Sequence, residues 1–284
     1  MDTGKTRRQP AIVLSAKVIF GESIVMKISR IVFAALACSS VVAQAEIPAT
    51  VRFGIDPTYP PFEVKKSDGS LVGFDVDLGN AICAEMKRKC VWVESAFDSM
   101  IPALKAKKFD AILSGMSMTE QRMQEINFSN RLFRSPARLI AKAGSNIKPT
   151  PESLKGKSIG VLQGSTEEVY AKTYWATKGA NVQPYENQDQ AYNDLVAGRL
   201  DATLQEAATA VDGFLNKPQG KGYAFTGAML KDDKIFGTGS GIGLRKEDKD
   251  LQLAINTALA KIKSNGTYTK IMKKYFDYDI SGDK

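Results

Sequence analysis

Short apolar runs alternate with amphipathic segments along most of the chain. Apolar or alternating runs typical of β-strands occupy residues 51–55, 91–93, 110–113 and 157–162. Helical patterns follow at about 75–89 and 98–107, the latter capped by Asp98-Ser99, and near the C-terminus at 248–263 and 267–275. Strands that alternate with helices predict an α/β fold with parallel strand pairs, and the length of 284 residues suggests roughly two domains.

An internal sequence repeat indicates two related lobes. Residues 103–113 align with residues 194–204 at an offset of 91, and both segments read as helix, turn and strand. Residues 53–56 are also similar in sequence to residues 159–162, but more weakly. Two such lobes would each present the carboxyl ends of their strands, where ligands bind in α/β sheets. At the same offset, Gly115 corresponds to Glu206.

The segment 113–122 predicts an anion site. It runs from an apolar strand through a loop rich in hydroxyls and glycine into a helix start. Thr119 is a good N-cap, which puts Arg122 at the third helical position, where a cation opposes the helix dipole. A guanidinium there fits a carboxylate, and Ser114, Ser117 and the free N–H groups add donors. Alternatively, Arg122 pairs with Glu120 or Glu125 on a solvated helix face.

Two other loops are candidate ligand contacts. Residues 56–62 contain three prolines, which hold Asp56 and two aromatic residues rigidly at a strand end. Residues 163–167 offer backbone N–H groups at a helix start, although ordinary capping by Ser165 and Glu167 also explains them. The glycine-rich segment 237–243 lacks both the Walker A lysine and the Rossmann pattern, so a crossing between lobes is the better interpretation.

The N-terminus has the pattern of an export signal. Residues 26–45 combine a basic start, an apolar run and an Ala43-Gln44-Ala45 cleavage site, which predicts a signal peptide and a mature start at Glu46. We interpret residues 1–25 as a non-native extension before a true start at Met26. Cys38 lies in the apolar run, but Ala35 makes a poor lipoprotein box.

Composition then excludes several classes of function. Residues 1–45 carry six of the 39 basic and two of the 31 acidic residues, so the mature chain has a net charge of about +4, too mild to indicate nucleic-acid binding. The chain has no histidine, which excludes Ser-His-Asp triads, Cys-His dyads and histidine-ligated zinc. No cofactor is expected. Cys83 and Cys90 remain after export, which favours their pairing.

The mature chain resembles the periplasmic amino-acid-binding proteins of ABC importers. Gly73-Phe74-Asp75-Val76-Asp77-Leu78, followed by Ile82, Cys83 and Met86, is similar to the signature of that family. Residues 56–59, 114–122, 162–166 and 236–245 match as well, and the whole resembles the lysine/arginine/ornithine-binding and histidine-binding members.

The resemblance implies a type II binding-protein fold with two lobes, each a mainly parallel sheet flanked by helices. Lobe 1 would comprise residues 46–135 and 239–284, lobe 2 residues 136–238, and two strands would form the hinge. It also implies that Cys83 and Cys90 form a disulfide.

By the same resemblance, Arg122 would bind the ligand carboxylate with Ser117 and Thr166, and Glu206, the Gly115 carbonyl and Ser117 would receive the ammonium group. Asp56 would meet a cationic side chain, held between Tyr59 and Phe97. The full implied ligand-binding set is Asp56, Tyr59, Phe97, Ser114, Gly115, Ser117, Arg122, Leu162, Gly164, Ser165, Thr166 and Glu206. From sequence alone, residues such as Tyr59 and Phe97 are more often core aromatics, and Asp56 could merely cap its turn.

We therefore expect a monomeric, periplasmic, non-enzymatic solute-binding protein that delivers arginine, lysine, ornithine or histidine to membrane permease subunits. Three residues depart from the commonest family pattern, namely Gly115, Glu167 and Glu206, and they leave the preferred ligand open. The alternative is a periplasmic dehydratase of arogenate or prephenate, in which Glu206 would act as the acid. A chemoreceptor-docking role is compatible with the binding function.

Overall fold

The computed structural model describes residues 47–282. The predicted signal peptide, the preceding extension and Cys38 lie outside them. In chain order, the first helices and strands are β1 (Thr50–Ile55), β2 (Thr58–Tyr59), β3 (Glu63–Lys65), β4 (Leu71–Val72), α1 (Phe74–Glu85), β5 (Lys89–Glu94), α2 (Met100–Lys105), β6 (Ala111–Ile112), α3 (Glu120–Glu125) and β7 (Asn127–Phe128).

The chain continues through a second α/β segment and then returns. The remaining elements are β8 (Ala137–Lys142), α4 (Pro151–Leu154), β9 (Ser158–Leu162), α5 (Thr166–Tyr174), β10 (Asn181–Tyr185), α6 (Gln188–Val196), β11 (Ala202–Glu206), α7 (Ala207–Ala210), β12 (Tyr223–Leu230), α8 (Asp233–Phe236), β13 (Gly243–Leu244), α9 (Lys249–Ser264) and α10 (Thr267–Tyr275).

Two five-stranded sheets form the centres of two lobes. Their strand orders are β5-β1-β6-β13-β7 and β10-β9-β11-β8-β12, and β2, β3 and β4 form a small separate sheet. Apolar side chains of α9 at helical spacing, among them Leu251, Ile255 and Leu259, are buried in the core of the first lobe. Among residues 47–282, no helix combines the length and apolar character needed to cross a membrane.

Both sheets are mainly parallel, as predicted, and each contains one strand that runs opposite to the other four. In the first, β13 runs antiparallel to β6 and β7; in the second, β8 runs antiparallel to β11 and β12. The chain enters the second lobe through β8 and returns to the first lobe through β13. Since each begins at the side where the lobes meet, it must run opposite to the strands that end there.

The internal repeat is present in the register of both sheets. Phe53 and Gly54 pair with Ala111 and Ile112, and Ile159 and Gly160 pair with Ala202 and Thr203. A Cβ on Gly54 would lie 2.6 Å from the Phe109 ring, and one on Gly160 would lie 2.5 Å from Leu200 Cδ1. Phe109 and Leu200 are themselves 91 positions apart, so both lobes use the same close packing.

The predicted cap of the helix at 98–107 is wrong. Residues 97–99 form a 3-10 turn and the helix spans Met100–Lys105. Ser99 already has helical backbone angles, so its hydroxyl does not cap the helix and donates to Asp98 instead.

Candidate ligand-binding site

A cavity lies where strands of both sheets end. Asp56 follows β1, Ser114 lies just beyond β6, Leu162 ends β9 and Glu206 ends β11. The cavity comprises about 360 Å³ of space free of protein atoms, including space that is open to solvent. Its lining residues are Asp56, Tyr59, Glu63, Phe97, Ser114, Gly115, Ser117, Arg122, Leu162, Ser165, Thr166, Glu167 and Glu206.

Arg122 points into this cavity from the start of α3. The Thr119 hydroxyl accepts from the Arg122 backbone N–H, as the predicted cap requires. The guanidinium donates to the carbonyl oxygens of Ser117 (3.0 Å) and Gly164 (2.9 Å) and lies 5.4 Å from the centre of the Phe97 ring. The interpretation of Arg122 as a solvated partner of neighbouring glutamates is therefore wrong.

Burial lowers the pKa of Arg122 to about 10, and the carboxylates of Glu167 and Glu206 oppose that shift. Its two side-chain hydrogen bonds go to neutral carbonyl groups. A half-buried guanidinium with such neutral partners is a favourable site for a ligand carboxylate.

Glu206 is an unsatisfied acidic group in the same cavity. Its side chain is 7% exposed, and Oε2 has no hydrogen-bond partner. Burial raises the pKa of Glu206 well above its ordinary value, and the nearby charges of Glu167 and Asp75 raise it further. A cation beside Glu206 would relieve both the repulsion and the missing hydrogen bond.

Glu167 is also buried in the lining, and its Oε2 accepts from the Thr166 hydroxyl at 3.0 Å. The predicted cap of this helix is correct for Ser165, whose Oγ accepts from the Glu168 N–H. The acid that accepts a backbone N–H in return is Glu168, whose carboxylate accepts from the Gly164 N–H. Glu167 lines the cavity instead.

Asp56 both caps its turn and lines the cavity. Its Oδ1 accepts from the Thr58 hydroxyl at 2.8 Å, as a turn-capping residue does. The side chain also lines the cavity and is 6% exposed, and burial raises its pKa. Tyr59 and Phe97 line the same cavity, so neither is confined to the core.

Gly164 does not line the cavity but contacts the opposite lobe. Its φ is +77°, and an added Cβ would lie 2.8 Å from Asp98 Cα. Beside it, Gln163 Nε2 donates to Asp98 Oδ2 at 2.6 Å. Together with the bond from Arg122 to the Gly164 carbonyl, these contacts join the two sides of the cavity.

Sequence reasoning missed Glu63 in the lining. Glu63 is 1% exposed, and its Oε1 accepts from the Ser114 hydroxyl at 2.7 Å. The alternation of the β3 residues Glu63, Val64 and Lys65 resembles an exposed hairpin strand, and no local signal marks the glutamate as buried. Within residues 47–282, no group of three or more histidine, cysteine, aspartate or glutamate side chains is arranged to hold a metal ion.

The predicted disulfide between Cys83 and Cys90 is present. It joins the end of α1 to β5, and neither cysteine lines the cavity.

Comparison with known proteins identifies the family. Residues 51–278 match the bacterial extracellular solute-binding proteins, family 3. The lysine/arginine/ornithine-binding periplasmic protein of Escherichia coli (strain K12) is 52% identical over 259 residues, covering 91% of this chain and 98% of that protein. The histidine-binding periplasmic protein of the same strain is 50% identical, covering 86% of this chain and 94% of that protein.

A solved structure of an ancestral arginine-binding protein bound to arginine has a TM-score of 0.76 at 35% identity, and covers 81% of this chain and 100% of its own. The predicted type II binding-protein fold is thereby confirmed. These relatives are binding proteins, which favours the predicted binding function over a dehydratase. The chain belongs to the bacterial extracellular solute-binding proteins of family 3.

Proposed function

We propose that this protein is the periplasmic component of an ABC importer, which captures a basic L-amino acid and delivers it to membrane permease subunits. The names of the two Escherichia coli relatives and their coverage support this proposal. The proposal also includes export through a signal peptide at residues 26–45 and a mature monomer that starts at Glu46. One lobe would comprise residues 46–135 with 239–284, and the other residues 136–238.

The observation that carries the proposal is the unpartnered Oε2 of buried Glu206 in the same cavity as Arg122. One cation and one unsatisfied acid match the carboxylate and ammonium groups of an amino acid. Asp56 and Glu167 add two further acids to the lining, so a ligand with a second positive charge balances the cavity better than a neutral one.

In the proposed pose, the ligand carboxylate lies on Arg122, Ser117 and the backbone at Thr166. The ammonium group binds Glu206 and the Gly115 carbonyl. That carbonyl already accepts from the Ser240 hydroxyl at 3.0 Å, and a carbonyl oxygen can accept a second hydrogen bond.

The side chain then extends between Tyr59 and Phe97 toward Asp56, in a pocket that Ser114, Leu162 and Ser165 complete. Gly164 acts through the closed cleft, because its carbonyl holds Arg122.

Calorimetry on protein stripped of any retained ligand by unfolding and refolding tests the proposal. Arginine, lysine, ornithine and histidine should include the tightest ligands, and glutamine, citrulline and glutamate should bind more weakly. Preferred binding of a neutral or acidic amino acid would contradict the proposal. Incubation with prephenate and arogenate should yield no aromatic product, and turnover would favour the dehydratase.

A further inference from the structure

Two carboxyl groups lie together beneath the loop that follows β6. Asp75, in the first turn of α1, is 0% exposed, and Glu63 is 1% exposed. Asp75 Oδ2 accepts from the Gly115 N–H at 2.9 Å. Glu63 Oε1 accepts from the Ser114 hydroxyl, whose oxygen in turn accepts from the Asp56 N–H at 3.0 Å. The two acids thus support three residues that line the cavity.

The other oxygen of each acid is buried and has no separate donor. These atoms are Glu63 Oε2 and Asp75 Oδ1. The bonded oxygens of the two acids meet consecutive residues, Ser114 and Gly115, and the charge of Asp75 raises the pKa of Glu63, so the two carboxyl groups are neighbours. Two ionised carboxylates in this position would repel, whereas a proton on Glu63 Oε2, donated to Asp75 Oδ1, satisfies both unpaired atoms. The remaining oxygens then keep their bonds to Ser114 and Gly115.

We propose that Glu63 and Asp75 share one proton and act as positioning residues, which hold the Ser114–Gly115 loop and the Asp56 backbone in their ligand-binding geometry. The proposal deepens the proposed function and rests on it for the ligand. A basic amino acid is the expected occupant of the cavity that this pair supports.

The surroundings of the pair favour retention of its proton. The facing charged groups are Asp56 at the end of β1 and Glu206 at the end of β11, and both are acidic. On α1 itself, Asp77 instead accepts hydrogen bonds from α10. Burial raises the pKa of Glu63 well above its ordinary value, Asp75 raises it further, and burial raises the pKa of Asp75 to about 7.

These pKa shifts predict the sign of a pH effect on stability. Above about pH 4.3 the unfolded chain loses the glutamate proton, while the folded protein keeps it up to the raised pKa of the pair. Stability from the shared proton is therefore complete at low pH and is lost as pH rises. Over this window, one retained proton changes the unfolding equilibrium constant by about tenfold per pH unit.

The first test uses no ligand. Denaturant unfolding is measured from about pH 5 to pH 9 for wild type, Glu63→Gln and Asp75→Asn, with Glu152→Gln, an exposed glutamate, as the matched control. An amide at either position replaces the shared proton with a permanent donor. Wild type and the control should lose stability relative to both amide variants as pH rises. Parallel curves for all four proteins would overturn the shared proton, whether or not arginine binds.

The second test measures arginine binding by wild type and Glu63→Gln over the same pH range. Titration of arginine itself cancels in the ratio of the two dissociation constants. The dissociation constant of wild type divided by that of Glu63→Gln should rise at least about tenfold toward high pH, because wild type loses the shared proton and, with it, the loop geometry. A constant ratio beside diverging stability curves would overturn the positioning role. Absence of arginine binding in either protein, with diverging curves, would contradict the proposed function alone.

Discussion

Replacement of Asp56 by asparagine isolates the charge that the proposed pose places at the cationic end of the ligand. The asparagine side chain keeps the shape of the aspartate and an oxygen for the Thr58 hydroxyl, so the turn is preserved. A ligand cation about 4 Å from the carboxylate gains about 4 kcal/mol at an effective dielectric constant of ~20. Because desolvation and the amide dipole change the net effect, we expect arginine to lose about 2–5 kcal/mol, which is ~30-fold or more in Kd.

Calorimetry with arginine and citrulline on wild type and Asp56→Asn measures the effect as a double-mutant cycle. Citrulline has nearly the same shape as arginine but no charge, so it should bind Asp56→Asn no worse than wild type. Thr58→Val is the matched control, since it removes the turn bond and keeps the charge. Equal losses for the two ligands, with a lower Tm in the absence of ligand, would refute charge recognition by Asp56.

Three further predictions concern the rest of the cleft. Arg122→Ala should weaken binding of every amino acid by about 2–5 kcal/mol, and near-wild-type calorimetric affinity would exclude it as the carboxylate site. Gly164→Ala should weaken binding by roughly 1–3 kcal/mol, because the added Cβ meets Asp98 only in the closed cleft; unchanged affinity would contradict closure through this contact. Reduction of Cys83–Cys90 should lower stability by about 2.5 kcal/mol in denaturant unfolding and leave arginine binding largely intact. Free thiols in the exported protein would contradict this pairing.

The repeat made much of the fold predictable from sequence. Alignment of residues 103–113 with 194–204 placed β6 and β11 in equivalent positions, and their pairing with β1 and β9 follows the same register. Helix starts at Thr119 and Ser165 were also predictable, because capping depends on residues close in sequence. The direction of β8 and β13 was not, since it depends on how the chain crosses between lobes.

The candidate site was less accessible to sequence reasoning where burial depends on distant partners. Glu63 lies 51 positions from the serine that it binds, and Asp75 lies 40 positions from the Gly115 N–H. A glutamate in a short hairpin strand and an aspartate at a helix start both fit exposed positions equally well. Only the packing of α1 against the loop after β6 distinguishes buried acids from surface acids.

The proposed binding pose is best tested by a crystal structure of the protein with arginine. We expect arginine enclosed between the lobes, with its carboxylate on Arg122, its ammonium group on Glu206 and its guanidinium at Asp56. Arginine in the reverse orientation, or bound outside this cavity, would refute this pose.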